Sequence, residues 1–169
     1  METAVRIGQG RGRFADLYAA HGRDAVRLGY LLTGNAADAE DLAQEAFVRL
    51  LGKFGDLRKP EAFRTYLMRT VTNLARGRAR HRDVERRHEG ALLARSEETV
   101  EAPDLGQRDA LGAALARLPY RQRAALVLRY CEDLSEQQTA EVLDTSVKAV
   151  KGLVTRGLAA LRGQEEVGR

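Results

Sequence analysis

Two groups of side chains in this sequence carry opposite charges at helical spacing, and each suits a different kind of binding. The stretch DAEDLAQEAF, residues 38–47, holds four acidic residues and a glutamine. Carboxylates can pair with arginines of another protein, whereas the phosphates of DNA would repel them. A later helix carries Lys148, Lys151 and Arg156, whose cations suit phosphates and base edges. Taken alone, the acidic stretch fits a solvated helix face better than a binding surface.

A third charged segment is basic and follows a loop with two glycines. That loop, GKFGDLRKP at residues 52–60, contains Phe54, for which packing and contact with a nucleic-acid base stay equally open. The helix after it carries an arginine stripe that suits phosphate contacts. The stripe comprises Arg64, Arg69, Arg76, Arg78, Arg80, Arg82, Arg86 and Arg87. For Phe63 and Tyr66 on the same helix we favour core packing.

Residue types that perform enzyme chemistry are scattered along the chain. His21, His81 and His88 have no carboxylate pair or glycine-rich phosphate loop beside them, and the last two lie in the arginine-rich stretch. The single Cys131 excludes an intrachain disulfide, lacks a zinc-binding pattern and is expected to be a buried, unreactive thiol. We therefore expect no catalytic, metal or cofactor site.

The elements that position these side chains are predicted to be helices throughout. Of the 169 residues 44% are hydrophobic but only 5% aromatic, with no Trp and three Pro, which favours an all-α fold. Apolar residues recur at helical spacing from Phe14 to Gly34, a glycine that suits a helix C-terminus. Asn35 is expected to cap the second helix, and Pro60 to begin the third. No signal peptide or membrane span is evident, so we expect a cytoplasmic protein.

Changes in composition divide the chain into two small helical domains joined by a flexible acidic linker. Residues 1–13, with three glycines, are expected to form a flexible basic tail, and residues 14–88 the first helical domain. Residues 89–104 hold five acidic residues against one arginine and are the predicted linker. Residues 105–163 form the second domain.

The second domain contains a helix-turn-helix pattern in LSEQQTAEVLDTSVKAVKGLVTRGLAALR. Ser135 and Gln138 form a predicted capping box, and a turn at Asp144 separates two helices. Asp144 occupies a position where this motif commonly has Gly, and Asp tolerates the left-handed backbone. An ordinary helical hairpin with a solvated basic face is the alternative. The predicted DNA-reading residues are Ser146, Lys148, Lys151, Thr155 and Arg156.

Three separated motifs resemble one family in the expected order. They are DAEDLAQEAFVRLL, AFRTYLMRTVTNLARGRARHR and ALARLPYRQRAALVLRYCEDLS, the last directly before the helix-turn-helix. Together they resemble an extracytoplasmic-function (ECF) RNA polymerase sigma factor, and the run YLLTGNAADAEDLAQEA is similar to the actinobacterial SigE-type branch. The resemblance covers about residues 14–162. It implies a dissociable initiation subunit that recognises minus-35 DNA through the second domain and melts minus-ten DNA through the first.

The resemblance also implies roles for individual residues. Contact with the clamp of the largest subunits of core RNA polymerase is implied for Asp41, Gln44, Glu45 and Phe47. Contact with minus-ten DNA is implied for Lys53, Phe54, Arg69, Asn73, Arg76 and Arg80. Tyr66 stands where many relatives have Trp. The acidic linker would enter the polymerase channel or act as a plain tether, and the residues do not separate these alternatives.

Partners and competing functions follow from the same comparison. The expected partners are core RNA polymerase and promoter DNA at the nucleoid. Family members are often held inactive by an anti-sigma factor, which the sequence does not identify. The main alternative is a stand-alone dimeric helix-turn-helix regulator, which would need a self-association helix and a palindromic site. A small helical enzyme is the least supported interpretation.

Overall fold

The protein is helical wherever its structure is described. The computed structural model describes residues 2–51, 60–90 and 106–167, and the regular structure in these ranges contains no strand. A π-helical turn, Val127–Cys131, continues the fifth helix. The helices are α1 (Glu2–Thr33), α2 (Ala36–Leu51), α3 (Pro60–Gly90), α4 (Gly106–Ala116), α5 (Tyr120–Leu126), α6 (Glu136–Leu143) and α7 (Val147–Val167). The predicted all-α fold is confirmed.

The first three helices form the amino-terminal unit, and its turns follow the predicted local signals. Gly34 has a φ of +71° and its N–H donates to the Tyr30 carbonyl at 2.7 Å, which ends α1. Asn35 then caps α2, because its Oδ1 accepts from the Asp38 N–H at 2.9 Å. Large buried side chains from all three helices fill the core between them: Leu28, Leu32, Leu42, Phe47, Phe63 and Val71.

The first helix starts earlier than the sequence predicts. Residues 2–13, assigned above to a flexible basic tail, belong to α1. Residues 2–7 contain Glu, Ala and Arg and no Pro, so the glycines that follow them are flanked by good helix formers. Extending an existing helix by one residue costs far less than starting a new one, and composition alone underestimates this effect.

Two predicted segments lie largely outside the described residues. The loop with Lys53 and Phe54 falls within residues 52–59, and the acidic linker falls mostly within residues 91–105. The beginning of the predicted linker is helical, since α3 continues to Gly90.

Helices α4 to α7 form the carboxyl-terminal unit. Its buried core combines Leu115 near the end of α4 and Leu118 just after it with Leu126 of α5 and Leu128 of the π-helical turn. Val142, Val150 and Leu153 complete it from the helix-turn-helix. Within α4, Leu115 is buried but Ala110 and Leu111 are exposed. The helix therefore contributes mainly its carboxyl end to packing.

The two units pack directly against each other. Helix α6 lies on α3, and α4 lies on α1. The Tyr120 hydroxyl donates to the Thr72 carbonyl at 2.6 Å, and Arg123 donates to the Leu32 carbonyl at 2.6 Å. The buried apolar residues of both units form one continuous cluster. The structure is therefore closed, an arrangement that a pattern of two domains and a linker does not predict.

Helices α1 and α2 approach each other closely at Gly29, and this contact can be tested by substitution. A Cβ at Gly29 would lie 3.0 Å from the Ala39 Cα and 3.2 Å from its carbonyl oxygen. Backbone atoms cannot move aside cheaply, so Gly29→Ala should lower the free energy of unfolding by about 1–3 kcal/mol. Gly77→Ala is the matched control, because a Cβ there meets nothing within 4 Å. It should raise the free energy by about 0.5–1 kcal/mol through helix propensity. Urea denaturation measures both, and equal effects would contradict the close approach.

Candidate nucleic-acid and protein-binding surfaces

The outer face of α2 carries the acidic surface, which consists of Asp41, Gln44 and Glu45. Asp41 and Gln44 are exposed, and the half-exposed Glu45 accepts from Arg49 at 2.7 Å one turn later. Val48, which is 65% exposed, continues this face toward the end of the helix. Carboxylates beside an exposed apolar side chain are a chemistry suited to a basic protein surface.

Phe47 does not belong to this acidic surface. It is 2% exposed and its ring lies 5.8 Å from those of Phe14 and Phe63 and 4.9 Å from that of Tyr18. Its position on α2 puts it on the same face as the buried Ala43 and Leu50. The implied contact with polymerase therefore needs correction, since Phe47 supports the surface from beneath.

The exposed face of α3 brings together the remaining residues implied for minus-ten DNA. Arg69, Asn73, Arg76 and Arg80 are spaced by four, three and four residues, so they form one row along the helix. Arg69, Asn73 and Arg80 are exposed and Arg76 is half-buried. We call this row the α3 stripe. Its cations and amide can follow a nucleic-acid backbone.

Tyr66 extends the α3 stripe by one turn, three residues before Arg69. The sequence favours core packing for both Phe63 and Tyr66; Phe63 is 1% exposed, but Tyr66 is 50% exposed. The prediction for Tyr66 was wrong, because only one face of α3 packs on α1 and α2 and Tyr66 lies on the other. An exposed ring at the end of a basic row has the form of a stacking platform, a feature that no signal in the sequence indicated.

Other arginines of α3 are committed to ion pairs within the protein. Arg78 Nη1 lies 3.1 Å from Asp38 Oδ1, and Arg82 pairs with the second oxygen of the same carboxylate. Arg64 bonds Glu132 of the other unit. The predicted stripe of eight arginines is therefore divided, and these three hold helices in place.

The helix-turn-helix has the local geometry that its sequence predicts. Ser135 Oγ accepts from the Gln138 N–H at 3.1 Å, while Gln138 Oε1 accepts from the Ser135 N–H at 2.8 Å, which completes the capping box. Asp144 adopts the left-handed conformation with a φ of 50°. Ser146 Oγ accepts from the Ala149 N–H at 3.1 Å and caps α7. The capping hydroxyl is thus engaged with its own helix.

The start of α7 exposes its basic face. Lys148, Lys151, Thr155 and Arg156 are all exposed, and the opposite face buries Val150 and Leu153. Lys151 Nζ lies 3.6 Å from Glu136 Oε2 on α6, a weak exposed contact that a ligand can replace. In a helix-turn-helix this end of the second helix enters the major groove.

The most buried charge in the described residues was missed by sequence reasoning. The Glu132 side chain is fully buried and lies against Arg27 and Arg64 of the other unit. Burial raises the pKa of the Glu132 carboxyl above its ordinary value, although the adjacent Arg27 and Arg64 favour the charged form. Glu132 and Arg27 are 105 residues apart, so no local pattern could have joined them.

Enzyme-like features are not found in the described part of the chain. Within residues 2–51, 60–90 and 106–167, no group of three or more His, Cys, Asp or Glu side chains could hold a metal ion. Cys131 is half-buried, and burial raises the pKa of its thiol, which favours the less reactive neutral form. None of the helices described is long and apolar enough to cross a bilayer.

Two family models match this chain in the order of its two units. Residues 17–84 match Sigma-70 region 2, and residues 108–161 match Sigma-70, region 4. The chain is 31% identical over 166 residues to the ECF RNA polymerase sigma factor SigW of Bacillus subtilis strain 168, covering 89% of this chain and 88% of that protein. It is 32% identical over 136 residues to the RNA polymerase sigma-E factor of Streptomyces antibioticus, covering 80% and 74%.

Solved structures share the fold. The sigma factor RpoE, in complex with the anti-sigma factor NepR from Bartonella quintana, superimposes with a TM-score of 0.72 at 19% identity, over 93% of this chain and 99% of that one. CnrH, in complex with the cytosolic domain of CnrY, superimposes with a TM-score of 0.67 at 24% identity, over 94% and 91%. The closed packing of helical units thus belongs to a known architecture.

Proposed function

Because the chain belongs to the ECF RNA polymerase sigma factor family, we propose that three separate surfaces bind the upstream promoter element, the melted promoter strand and core polymerase. The protein is an alternative sigma factor, which binds core RNA polymerase and directs transcription from particular promoters. The family is not one of catalytic enzymes, and we infer that this member acts by binding alone. What remains to be assigned is which residues perform each part.

The observation that supports this proposal is the presence of two basic surfaces with different side-chain chemistry. The α7 face is a helix start with exposed Lys and Thr side chains, a form suited to the major groove of duplex DNA. The α3 stripe combines arginines, an amide and the exposed ring of Tyr66, a form suited to separated strands. A stand-alone dimeric regulator would use only the first of these surfaces.

The α7 face is proposed to recognise minus-35 DNA. Lys148 and Lys151 lie in the first turns of α7, where side chains reach base edges, and Thr155 follows one turn later. Arg156 is better suited to phosphate contacts. Ser146 would help only indirectly, by fixing the helix start, since its Oγ is already bonded.

The α3 stripe is proposed to hold the melted minus-ten strand, together with Lys53 and Phe54 of the preceding loop. Arg69, Arg76 and Arg80 would follow phosphates, while Asn73 lies between them as a hydrogen-bonding group. Tyr66 would stack on a base at the end of the row. Stacking and backbone charge need no exact sequence, so the specificity of this step would come from the loop and the amide.

The acidic surface of α2 is proposed to dock on the clamp of core polymerase. Asp41 and Glu45 would pair with basic residues there, and the exposed Val48 beside them would add apolar contact. Since its partners are polymerase and chromosomal DNA, we place the activity in the cytoplasm, at the nucleoid. An anti-sigma factor is a further proposed partner. Of the two structural neighbours, RpoE was solved with the anti-sigma factor NepR, and CnrH with the cytosolic domain of CnrY.

Transcription in vitro from a pool of genomic DNA tests the proposal as a whole. Core polymerase should produce new transcript starts only when this protein is added, and those starts should share two spaced upstream elements. Binding of duplex DNA without any new start would instead favour the stand-alone regulator.

Reversing the charge of the acidic surface should separate polymerase binding from DNA binding. The double variant Asp41→Lys with Glu45→Lys should weaken binding to core polymerase about tenfold or more, because the introduced lysines would face the basic residues with which the carboxylates are proposed to pair. Asp16→Lys with Glu85→Lys makes the same charge change at exposed positions elsewhere and should bind normally. Fluorescence anisotropy with labelled protein measures both affinities. Equal loss in the two double variants would contradict the assignment.

Removing the lysines of α7 should reduce recognition of the upstream element. Lys148→Ala with Lys151→Ala should weaken binding to a minus-35 duplex by about 1–3 kcal/mol, as expected for lost base or phosphate contacts. Arg13→Ala with Arg23→Ala removes the same charge from exposed positions of α1 and serves as the control. Competition between specific and scrambled duplexes gives the specificity ratio. Unchanged promoter selection would exclude these residues as base readers.

Truncating Tyr66 should impair melting without affecting the fold. Tyr66→Ala should cost about 1–3 kcal/mol in binding the single-stranded minus-ten element, whereas Tyr66→Phe keeps the stacking ring and should behave like wild type. Permanganate reactivity of promoter thymines reports strand opening by the assembled polymerase. Normal opening with Tyr66→Ala would show that the exposed ring does not contact DNA.

A further inference from the structure

Glu132 owes its position to an unusual end of the fifth helix. The π-helical turn Val127–Cys131 widens the helix, and the Glu132 N–H donates to the Val127 carbonyl at 3.0 Å, five residues back. Asp133 then takes a φ of 54°, and the Leu134 N–H returns to the Leu128 carbonyl at 3.0 Å. This left-handed cap ends the helix and leaves Glu132 on the side that faces α1 and α3.

The carboxylate is held there by two arginines of the amino-terminal unit. Arg27 donates from Nε and Nη2 to Glu132 Oε1 at 3.3 and 3.1 Å, and from Nη2 to Oε2 at 3.3 Å. Arg64 donates from Nη2 to Oε2 at 3.3 Å and to the Glu132 main-chain oxygen at 3.2 Å. Both arginines are partly exposed while the carboxylate is not. Glu132, Arg27 and Arg64 therefore form an ion-paired contact that joins the two units.

The same interface places an acid beside the proposed minus-ten surface. Glu141 of α6 lines a cavity of about 370 Å³ with Tyr66 and Arg69 of α3. A nucleic-acid strand that follows the α3 stripe would meet this acid and the helix that carries it. The closed arrangement thus opposes one of the two proposed DNA contacts.

The size of the closed protein opposes simultaneous contact with both promoter elements. A compact chain of this length has a radius of gyration of about 16 Å and is about 40 Å across. Elements centred at minus 35 and minus ten lie about 25 base pairs apart, or about 85 Å along duplex DNA. One closed molecule cannot reach both. The fifteen residues 91–105 between α3 and α4 can span about 50 Å when extended, so the chain is long enough to let the units separate.

We propose that Glu132, Arg27 and Arg64 form a latch that holds the free protein in this closed, inactive arrangement, and that engagement of polymerase and promoter must open it. The proposal rests on the proposed function, because it concerns when the two DNA surfaces can act together. Opening returns the carboxylate to water, which balances the loss of its arginine bonds. An ion pair of this kind can hold the two units together in the free protein and still break when polymerase and promoter bind.

The decisive variant leaves the buried charge without partners. Arg27→Gln with Arg64→Gln removes both cations, and an uncompensated buried carboxylate is strongly unfavourable. The protein can relieve this by opening, so small-angle scattering should show the radius of gyration rising from about 16 Å toward roughly 25 Å. Circular dichroism shows whether the helices persist. A radius equal to that of wild type would overturn the latch.

A third substitution distinguishes the latch from general damage. Adding Glu132→Gln to the double variant removes the buried charge, so the radius of gyration should return toward the wild-type value. Damage to packing would instead accumulate with each change. Arg23→Gln with Arg162→Gln, at exposed positions of α1 and α7, is the matched control and should stay compact. Failure of the triple variant to recompact would contradict the charge mechanism.

Two further results keep the test independent of folding and of the proposed function. If the double variant loses its helices, the single variants Arg27→Gln and Arg64→Gln decide: partial expansion of each supports the latch, and two wild-type radii overturn it. A wild-type protein that is already extended in solution also overturns it. Promoter-specific transcription by wild-type protein is scored separately, so its absence would refute the proposed function and not the latch.

Discussion

The buried carboxylate of Glu132 fixes how the two units of this protein lie against each other. An ion can be removed from water only where opposite charges and hydrogen bonds replace the water, and here both come from the other unit. That requirement brings α1 and α3 to the end of the π-helical turn. The Tyr120 hydroxyl and the Arg123 guanidinium bond main-chain carbonyls of the amino-terminal unit across the same interface.

Three surfaces that we propose to bind polymerase or DNA lie around this interface. The acidic surface of α2, the α3 stripe and the basic face of α7 lie on different helices and expose different chemistry. Each is supported from within by an apolar face of its own helix, as Phe47 supports α2 and Val150 supports α7. The surfaces do not share side chains, but Glu141 of α6 lies beside Tyr66 and Arg69 of the α3 stripe, so the two proposed DNA contacts become compatible only when the units separate.

Local signals in the sequence predicted local structure well. The capping box at Ser135, the Asn35 cap and the turn at Gly34 follow from residue types whose side chains or backbone freedom act over three or four residues. Contacts between distant segments have no such signature. The sequence therefore placed Arg64, Arg78 and Arg82 in one DNA-binding row, although their partners are the acids Asp38 of α2 and Glu132 after the π-helical turn. Tyr66 was misjudged for a related reason, since helical spacing shows which residues share a face but not which face meets another helix.

The π-helical turn makes the interface sensitive to chain length in a way that composition does not capture. Such a turn accommodates one residue more than regular α-helical spacing allows. Loss of a single residue between Val127 and Cys131 would return the helix to regular winding, and the four remaining residues would turn through about the same angle as the five of the wider turn. The Glu132 N–H would lose its bond to a carbonyl five residues back, and the helix end with the left-handed Asp133 would have to rearrange. The end of the helix that presents Glu132 is thus encoded partly as an insertion, which no substitution can replace.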